Sequence, residues 1–74
     1  MRDKKFHTAI GTQLQLLRKE KKLTQLQIAR SLNITSRAVQ YIEAGTTNTA
    51  AELLVAYAQT LNKKLSEILS QIGY

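Results

Sequence analysis

Four side chains close together in the middle of the chain carry hydrogen-bonding groups that match nucleobase edges: Ser36, Arg37, Gln40 and Tyr41. Arg37 can donate two hydrogen bonds to a guanine edge, and Gln40 can pair with adenine. Ser36 can bond a base or a phosphate, and Tyr41 can pack on a thymine methyl group or bond a phosphate. The set predicts base-specific contacts with DNA, with Arg37 as the first candidate for specificity. The alternative interpretation is an ordinary solvated helix face.

Two short helices would have to position these four side chains. Apolar residues recur on both sides of a turn at offsets that bury one face of each helix: Ile28, Ala29, Leu32, Ile34, Val39 and Ile42. The four polar candidates lie between these residues and would face outward. A short helix with one sealed face and one polar face is the right size for a DNA major groove.

Local signals set the ends of these two helices. The pattern Thr24-x-x-Gln27 is a capping box, which predicts that the second helix opens at Thr24. Asn33 tolerates the left-handed backbone conformation of a sharp turn, and Thr35 suits the N-cap of the third helix. Gly45 is a natural left-handed residue at which that helix can stop.

The same reasoning predicts five helices in all. The first should begin near Thr8 and end in the Lys21–Lys22 region, and a second capping box, Thr49-x-x-Glu52, should open the fourth. The last helix carries one apolar stripe, formed by Leu65, Ile68, Leu69 and Ile72. The expected fold class is therefore all-α, with a basic arm over residues 1–7 and one domain over residues 8–74.

Composition excludes several classes of function. The 74 residues include no cysteine and one histidine, His7, so disulfides, thiolate metal sites and a zinc cluster are not expected. His7 is predicted to be exposed. We find no Ser/His/acid set, carboxylate pair or phosphate-binding glycine loop, so the sequence predicts neither an enzyme nor a cofactor. No apolar run is long enough for a membrane span, and a cytoplasmic protein is expected.

Charge is unevenly distributed along the chain. The formal net charge is +6, and nine of the eleven Lys and Arg residues fall within residues 1–37, against two acidic residues. A basic half suits a polyanion, although charge alone would equally fit RNA, a ribosome or a membrane surface. Arg2, Lys4 and Lys5 form a basic lead that could follow the DNA backbone or a minor groove, and solubilising charge is the alternative.

A larger set of residues resembles the DNA-binding domains of the Cro and phage-repressor type, the XRE family. These residues are Leu23-Thr24-Gln25, Ile28-Ala29, Leu32-Asn33-Ile34-Thr35, Val39, Ile42-Glu43 and Gly45, with Ile10-Gly11, Leu14 and Leu17-Arg18 before them and Leu53, Ala58, Leu61 and Leu65 after them. The resemblance covers roughly residues 8–70. It implies a compact five-helix, lambda-repressor-like domain with a helix-turn-helix motif over about residues 24–44, binding an operator as a dimer and most often repressing transcription.

The resemblance also implies roles for individual residues. Gln25 would anchor the DNA backbone, and Arg18 would pair with Glu43 to link the first helix to the end of the third. Two unrelated surface charges are the alternative for that pair, and helix capping is the alternative for Gln25. Further phosphate contacts are expected from the residues Thr35, Thr46, Thr47 and Asn48, although a plain loop explains the last three almost as well.

Three positions depart from the family pattern. Asn33 replaces the common turn glycine, and the loop after Gly45 lacks the basic residues and the proline that many members carry. Lys63 and Lys64 occupy places usually held by an apolar residue and a helix cap. The loop should therefore bind phosphate more weakly than in many members. The sequence does not determine at which residue the last helix starts.

The sequence thus predicts a bacterial or phage-derived transcriptional regulator that is a homodimer, binds double-stranded DNA and lies on the nucleoid when bound. The candidate dimer surface is Leu65, Ile68, Leu69, Ile72 and Tyr74, unless all of it seals the monomer. Two alternatives stay open. One is an antitoxin that also binds a toxin protein, and the other is a protein-interaction module that kept only the fold.

Overall fold

The computed structural model describes residues 4–74, which form five α-helices and no strands. In chain order the helices are α1 (Lys4–Glu20), α2 (Gln25–Leu32), α3 (Ser36–Ala44), α4 (Ala51–Thr60) and α5 (Leu65–Gln71). The predicted all-α, five-helix architecture is confirmed.

Each helix contributes at least one buried apolar side chain to a single core. The core residues are Ile10, Leu14, Leu17, Ile28, Ala29, Val39, Ile42, Leu54, Tyr57, Ala58, Leu61 and Ile68. The helical spacing of these residues in the sequence is the reason that each helix buries one face. In the centre, α3 packs against both α1 and α2, so its orientation is set from two sides.

The turn between α2 and α3 is formed by the residues that the sequence indicated. Thr24 Oγ1 accepts a hydrogen bond from the Gln27 N–H at 3.1 Å, and Gln27 Oε1 accepts one from the Thr24 N–H at 2.7 Å. Asn33 is left-handed, with φ at 57°, and Thr35 Oγ1 caps α3 by accepting from the Ala38 N–H at 3.0 Å. The capping box and the left-handed turn are both confirmed.

A close backbone approach joins α1 to α3. A Cβ atom added at Gly11 would lie 2.3 Å from the carbonyl oxygen of Ile42, so only glycine fits there. Gly45 ends α3 in the left-handed conformation that the sequence predicted, with φ at 71°, and it packs on the backbone of Thr8. These two glycines let α3 lie directly against α1.

The beginning of α1 differs from the prediction. The helix already includes Lys4, four residues before the expected start at Thr8, and His7 is buried rather than exposed. Lysines in a first turn oppose the helix dipole, so local preference does not explain this start. Packing explains it better, because Phe6 stacks edge-on against Tyr74 at 5.1 Å between ring centroids.

The first turns of α4 and α5 also depart from expectation. The N-cap of α4 is Ala50, so Thr49 lies one residue too early to cap it and the predicted second capping box is wrong. In α5 the Glu67 carboxylate accepts a hydrogen bond from the Lys64 backbone N–H at 2.8 Å. Glu67 thereby supplies part of the cap that Lys64 cannot, and α5 begins at Leu65.

Candidate nucleic-acid interface

The outer face of α3 presents the side chains that the sequence selected for base contacts. Arg37, Gln40 and Tyr41 are all exposed, with 45% of the Tyr41 surface accessible, and Ser36 is half-buried at the flank. The structure therefore places three of the four candidates side by side in solvent. We define Arg37, Gln40 and Tyr41 as the outer face of α3.

Two of these side chains contact each other. Arg37 Nη1 donates to the Tyr41 hydroxyl oxygen at 3.4 Å, as residues four positions apart on a helix can do. Tyr41 also forms one wall of a shallow groove of about 220 Å³ between α3 and the loop that leads to α4. Thr47 and Asn48 line the other side of that groove.

The inner face of α3 consists of its buried residues Val39, Ile42 and Glu43, and Glu43 forms a buried ion pair. Arg18 of α1 pairs with Glu43 through two contacts, Nε to Oε2 at 2.7 Å and Nη2 to Oε1 at 3.2 Å. Arg18 Nη1 also donates to the backbone carbonyl of Leu23 at 2.7 Å. The structure thus brings together the two charges that the sequence paired. The three hydrogen bonds fix the orientation of the Arg18 guanidinium.

Glu43 has two further partners that sequence reasoning did not assign to it. Gln25 Nε2, at the start of α2, donates to Glu43 Oε1 at 3.0 Å, and the buried Tyr57 hydroxyl of α4 donates to Glu43 Oε2. One carboxylate on α3 therefore joins α1, α2 and α4. The available signal was Tyr57 itself, because a tyrosine on an apolar stripe needs a partner for its hydroxyl.

The hydrogen-bond network around Glu43 determines the protonation states of Arg18, Glu43 and Tyr57 at neutral pH. Burial acts to raise the pKa of Glu43, but hydrogen bonds from Arg18, Tyr57 and Gln25 outweigh it and hold that pKa below its usual value of 4.5. The hydrogen bond to Glu43 raises the pKa of Arg18, and burial raises the pKa of Tyr57 above its usual 10.0. A charged pair and a neutral phenol result.

A helix-turn-helix family model matches residues 14–68, which is most of the chain. The chain belongs to the XRE-type helix-turn-helix family. The resemblance inferred from the sequence is therefore confirmed, and α2 and α3 are the two helices of the motif.

A solved structure confirms the fold. The crystal structure of the clp gene regulator ClgR from Corynebacterium glutamicum superposes with a TM-score of 0.85 at 21% sequence identity, covering 89% of this chain and 70% of that one. A search of curated protein sequences finds no significant match.

The phosphate-contact candidates of this helix-turn-helix chain lie in three places. Gln25 is the first residue of α2, with its amide already bonded to Glu43. Lys4 and Lys5 are exposed but belong to the first turn of α1 rather than to an arm without structure. Thr35 caps α3. Arg2 lies outside the described residues.

The loop candidates and the apolar C-terminal residues complete the set. Thr46 and Asn48 are exposed, and Thr47 is half-buried. Ile68 is fully buried in the core, so its place among the dimer candidates is wrong. Its side chain seals the monomer. The half-buried residues Leu65, Leu69 and Ile72 pack against the same core, and Tyr74 is 61% exposed.

Neither a membrane span nor a metal site emerges from the described residues. No helix within residues 4–74 is long and apolar enough to cross a bilayer. Over the same residues, no three His, Asp or Glu side chains come together as metal ligands would.

Proposed function

We propose that this chain is a sequence-specific transcriptional regulator that binds double-stranded DNA through the outer face of α3. The observation that carries the proposal is the arrangement of Arg37, Gln40 and Tyr41, exposed together on a helix whose opposite face is anchored. The membership of the chain in a helix-turn-helix family supports it.

Each side chain of the outer face has a distinct chemical role in this proposal. The Arg37 guanidinium donates two hydrogen bonds to the O6 and N7 atoms of a guanine, and the Gln40 amide pairs with the N6 and N7 atoms of an adenine. Tyr41 packs on a thymine methyl group or approaches a phosphate. Ser36, at the flank, bonds a phosphate or a base edge.

Phosphate contacts fix the register of the domain on the duplex. The Gln25 amide nitrogen carries two hydrogens, one of which points to Glu43, and the second can donate to a phosphate at the start of α2. Lys4 and Lys5 supply charge from the first turn of α1. Hydroxyl and amide groups from Thr35, Thr46, Thr47 and Asn48 add neutral hydrogen bonds.

A homodimer is the assembly we propose for binding. Two copies would place their α3 helices in successive major grooves about 34 Å apart, which requires a near-palindromic operator. Occupying such an operator represses transcription by blocking polymerase. The side chains that remain for contact between copies, at the end of the chain, are Leu65, Leu69, Ile72 and Tyr74.

Selection of bound sites from a random duplex library tests the proposal. We expect a symmetric consensus site, and Arg37→Ala should lose about 1–3 kcal/mol of discrimination at one base pair in each half-site. Arg37→Lys is the matched control, because it keeps the charge and loses the two-pronged donor geometry. Failure to enrich any sequence, or an equal loss on all sequences, would contradict base reading.

Salt dependence tests the phosphate contacts separately. Replacing Lys4 and Lys5 by Ala should weaken binding to every sequence and reduce the slope of log affinity against log salt by about 0.9 for each phosphate that is no longer neutralised. The consensus should not change. An unaltered slope would show that these lysines do not contact the duplex.

A further inference from the structure

Arg37 and Tyr41 occupy the outer face of α3 on successive turns, yet their surroundings differ. Arg37 is a long, exposed side chain. The Tyr41 ring is half-covered, because it forms a wall of the groove that Thr47 and Asn48 close on the other side. The hydroxyl of Tyr41, at the end of this half-covered ring, accepts a hydrogen bond from Arg37 Nη1 at 3.4 Å.

This contact leaves the guanidinium able to read a base. A guanidinium has five N–H donors, so one bond to Tyr41 leaves four, including a parallel pair for the O6 and N7 acceptors of guanine. A free arginine side chain loses much rotamer entropy when it is fixed against a ligand. A hydroxyl that already restricts the guanidinium reduces that loss.

We propose that Tyr41 is a positioning residue, whose hydroxyl orients the Arg37 guanidinium and thereby strengthens the preference at the base pair that Arg37 reads. The inference rests on the proposed function and deepens it. It assigns the Tyr41 hydroxyl to Arg37, in place of a direct contact with a base or a phosphate.

A double-mutant cycle on the selected operator tests this role. Binding of wild type, Tyr41→Phe, Arg37→Ala and the double variant is measured to the consensus duplex and to duplexes with each other base pair at the position read by Arg37. Tyr41→Phe keeps the ring in the groove wall and removes one oxygen. We expect it to lower the preference at that base pair roughly three- to tenfold, and to change nothing further once Arg37 is Ala.

Gln40→Ala is the matched control on the same face. It should alter the preference at a different base pair, and its effect should add to that of Tyr41→Phe. Circular dichroism and thermal unfolding of Tyr41→Phe should match wild type, because a merely structural role would move stability rather than one base preference.

Three results would overturn the inference. The hydroxyl contacts DNA directly if Tyr41→Phe weakens binding equally with and without Arg37. It has no positioning role if Tyr41→Phe leaves the preference unchanged while Arg37→Ala abolishes it, and the proposed function then stands. If Arg37→Ala itself produces no base-specific loss, the proposed base reading fails, and the role of Tyr41 fails with it.

Discussion

The two faces of α3 differ in how firmly the protein holds their side chains. On the inner face, the Glu43 carboxylate is buried and accepts hydrogen bonds from three other helices. On the outer face, Arg37 and Gln40 are exposed, and a single long hydrogen bond of 3.4 Å joins Arg37 to Tyr41. The inner face fixes where the helix lies, and the outer face leaves donors and acceptors for a partner.

The choice of a charged group for the inner face has a physical consequence. A buried ion pair adds little stability compared with apolar residues of the same volume, but it is costly to break and accepts few alternative geometries. Arg18 and Glu43 meet in a two-pronged arrangement, which fixes direction as well as distance. We infer that this network specifies the angle of α3 more than it stabilises the fold.

The largest effect is expected from breaking the inner face. Glu43→Gln keeps the shape of the side chain but leaves the buried Arg18 guanidinium without a counter-charge, and we expect a loss of about 3–5 kcal/mol in the free energy of unfolding. Urea denaturation at pH 7 measures it. Glu52→Gln, at an exposed site in the first turn of α4, is the control and should change little. A loss below about 1 kcal/mol for Glu43→Gln would mean that the network is solvated.

The next largest effect is expected where α1 meets α3. In Gly11→Ala the new methyl group would lie 2.3 Å from the Ile42 carbonyl oxygen and 2.7 Å from that of Glu43, so the two helices must separate. We expect a loss of about 1–3 kcal/mol, measured by urea denaturation. Thr12→Ala, at the exposed neighbouring position of α1, is the control and should change the free energy of unfolding by less than about 0.5 kcal/mol. Equal stability of the two variants would argue against the close approach.

The helix caps and the left-handed turn residues of this fold could be predicted from the sequence. Thr24 and Gln27 are three residues apart, and their reciprocal capping depends only on that spacing. Asn33 and Gly45 take left-handed conformations that few residue types tolerate. These signals are short in range, so the turn of the motif and the position of the outer face followed from them.

The hydrogen-bond network around Glu43 could be only partly predicted from the sequence. Family resemblance paired Arg18 with Glu43, but nothing local connects Glu43 with Tyr57, fourteen residues away, or with Gln25, eighteen residues away. The buried His7 shows the same limit, because tertiary packing rather than helix preference extends α1 to Lys4. Contacts between distant segments decide such positions.

Lowering the pH should weaken the hydrogen bonds of Glu43 on the inner face of α3 before it affects the rest of the core. The folded pKa of Glu43 lies below its ordinary value of 4.5, so its stabilising contribution is complete above that pH and is lost as the pH falls toward the folded pKa. Urea denaturation between pH 7 and pH 3, in a constant concentration of sucrose that keeps the weaker variant folded, should show a steeper decline for wild type than for Glu43→Gln. This decline should be smaller than the loss in that variant, because both oxygens of a protonated carboxyl can still accept hydrogen bonds from Arg18, whereas the amide nitrogen of glutamine cannot accept one. Parallel pH profiles would contradict the assignment.

The smallest effect is expected on the outer face, where neighbouring residues give a matched comparison. Val39 is fully buried, and Gln40, the next residue, is exposed. Val39→Ala should lower the free energy of unfolding by about 1–3 kcal/mol through lost burial and the cavity left behind. Gln40→Ala should change it by less than about 0.5 kcal/mol while reducing base discrimination, since its exposed side chain lies away from the core. If Gln40→Ala destabilised the domain as much as Val39→Ala does, the outer face would be part of the packing and could not be reserved for DNA.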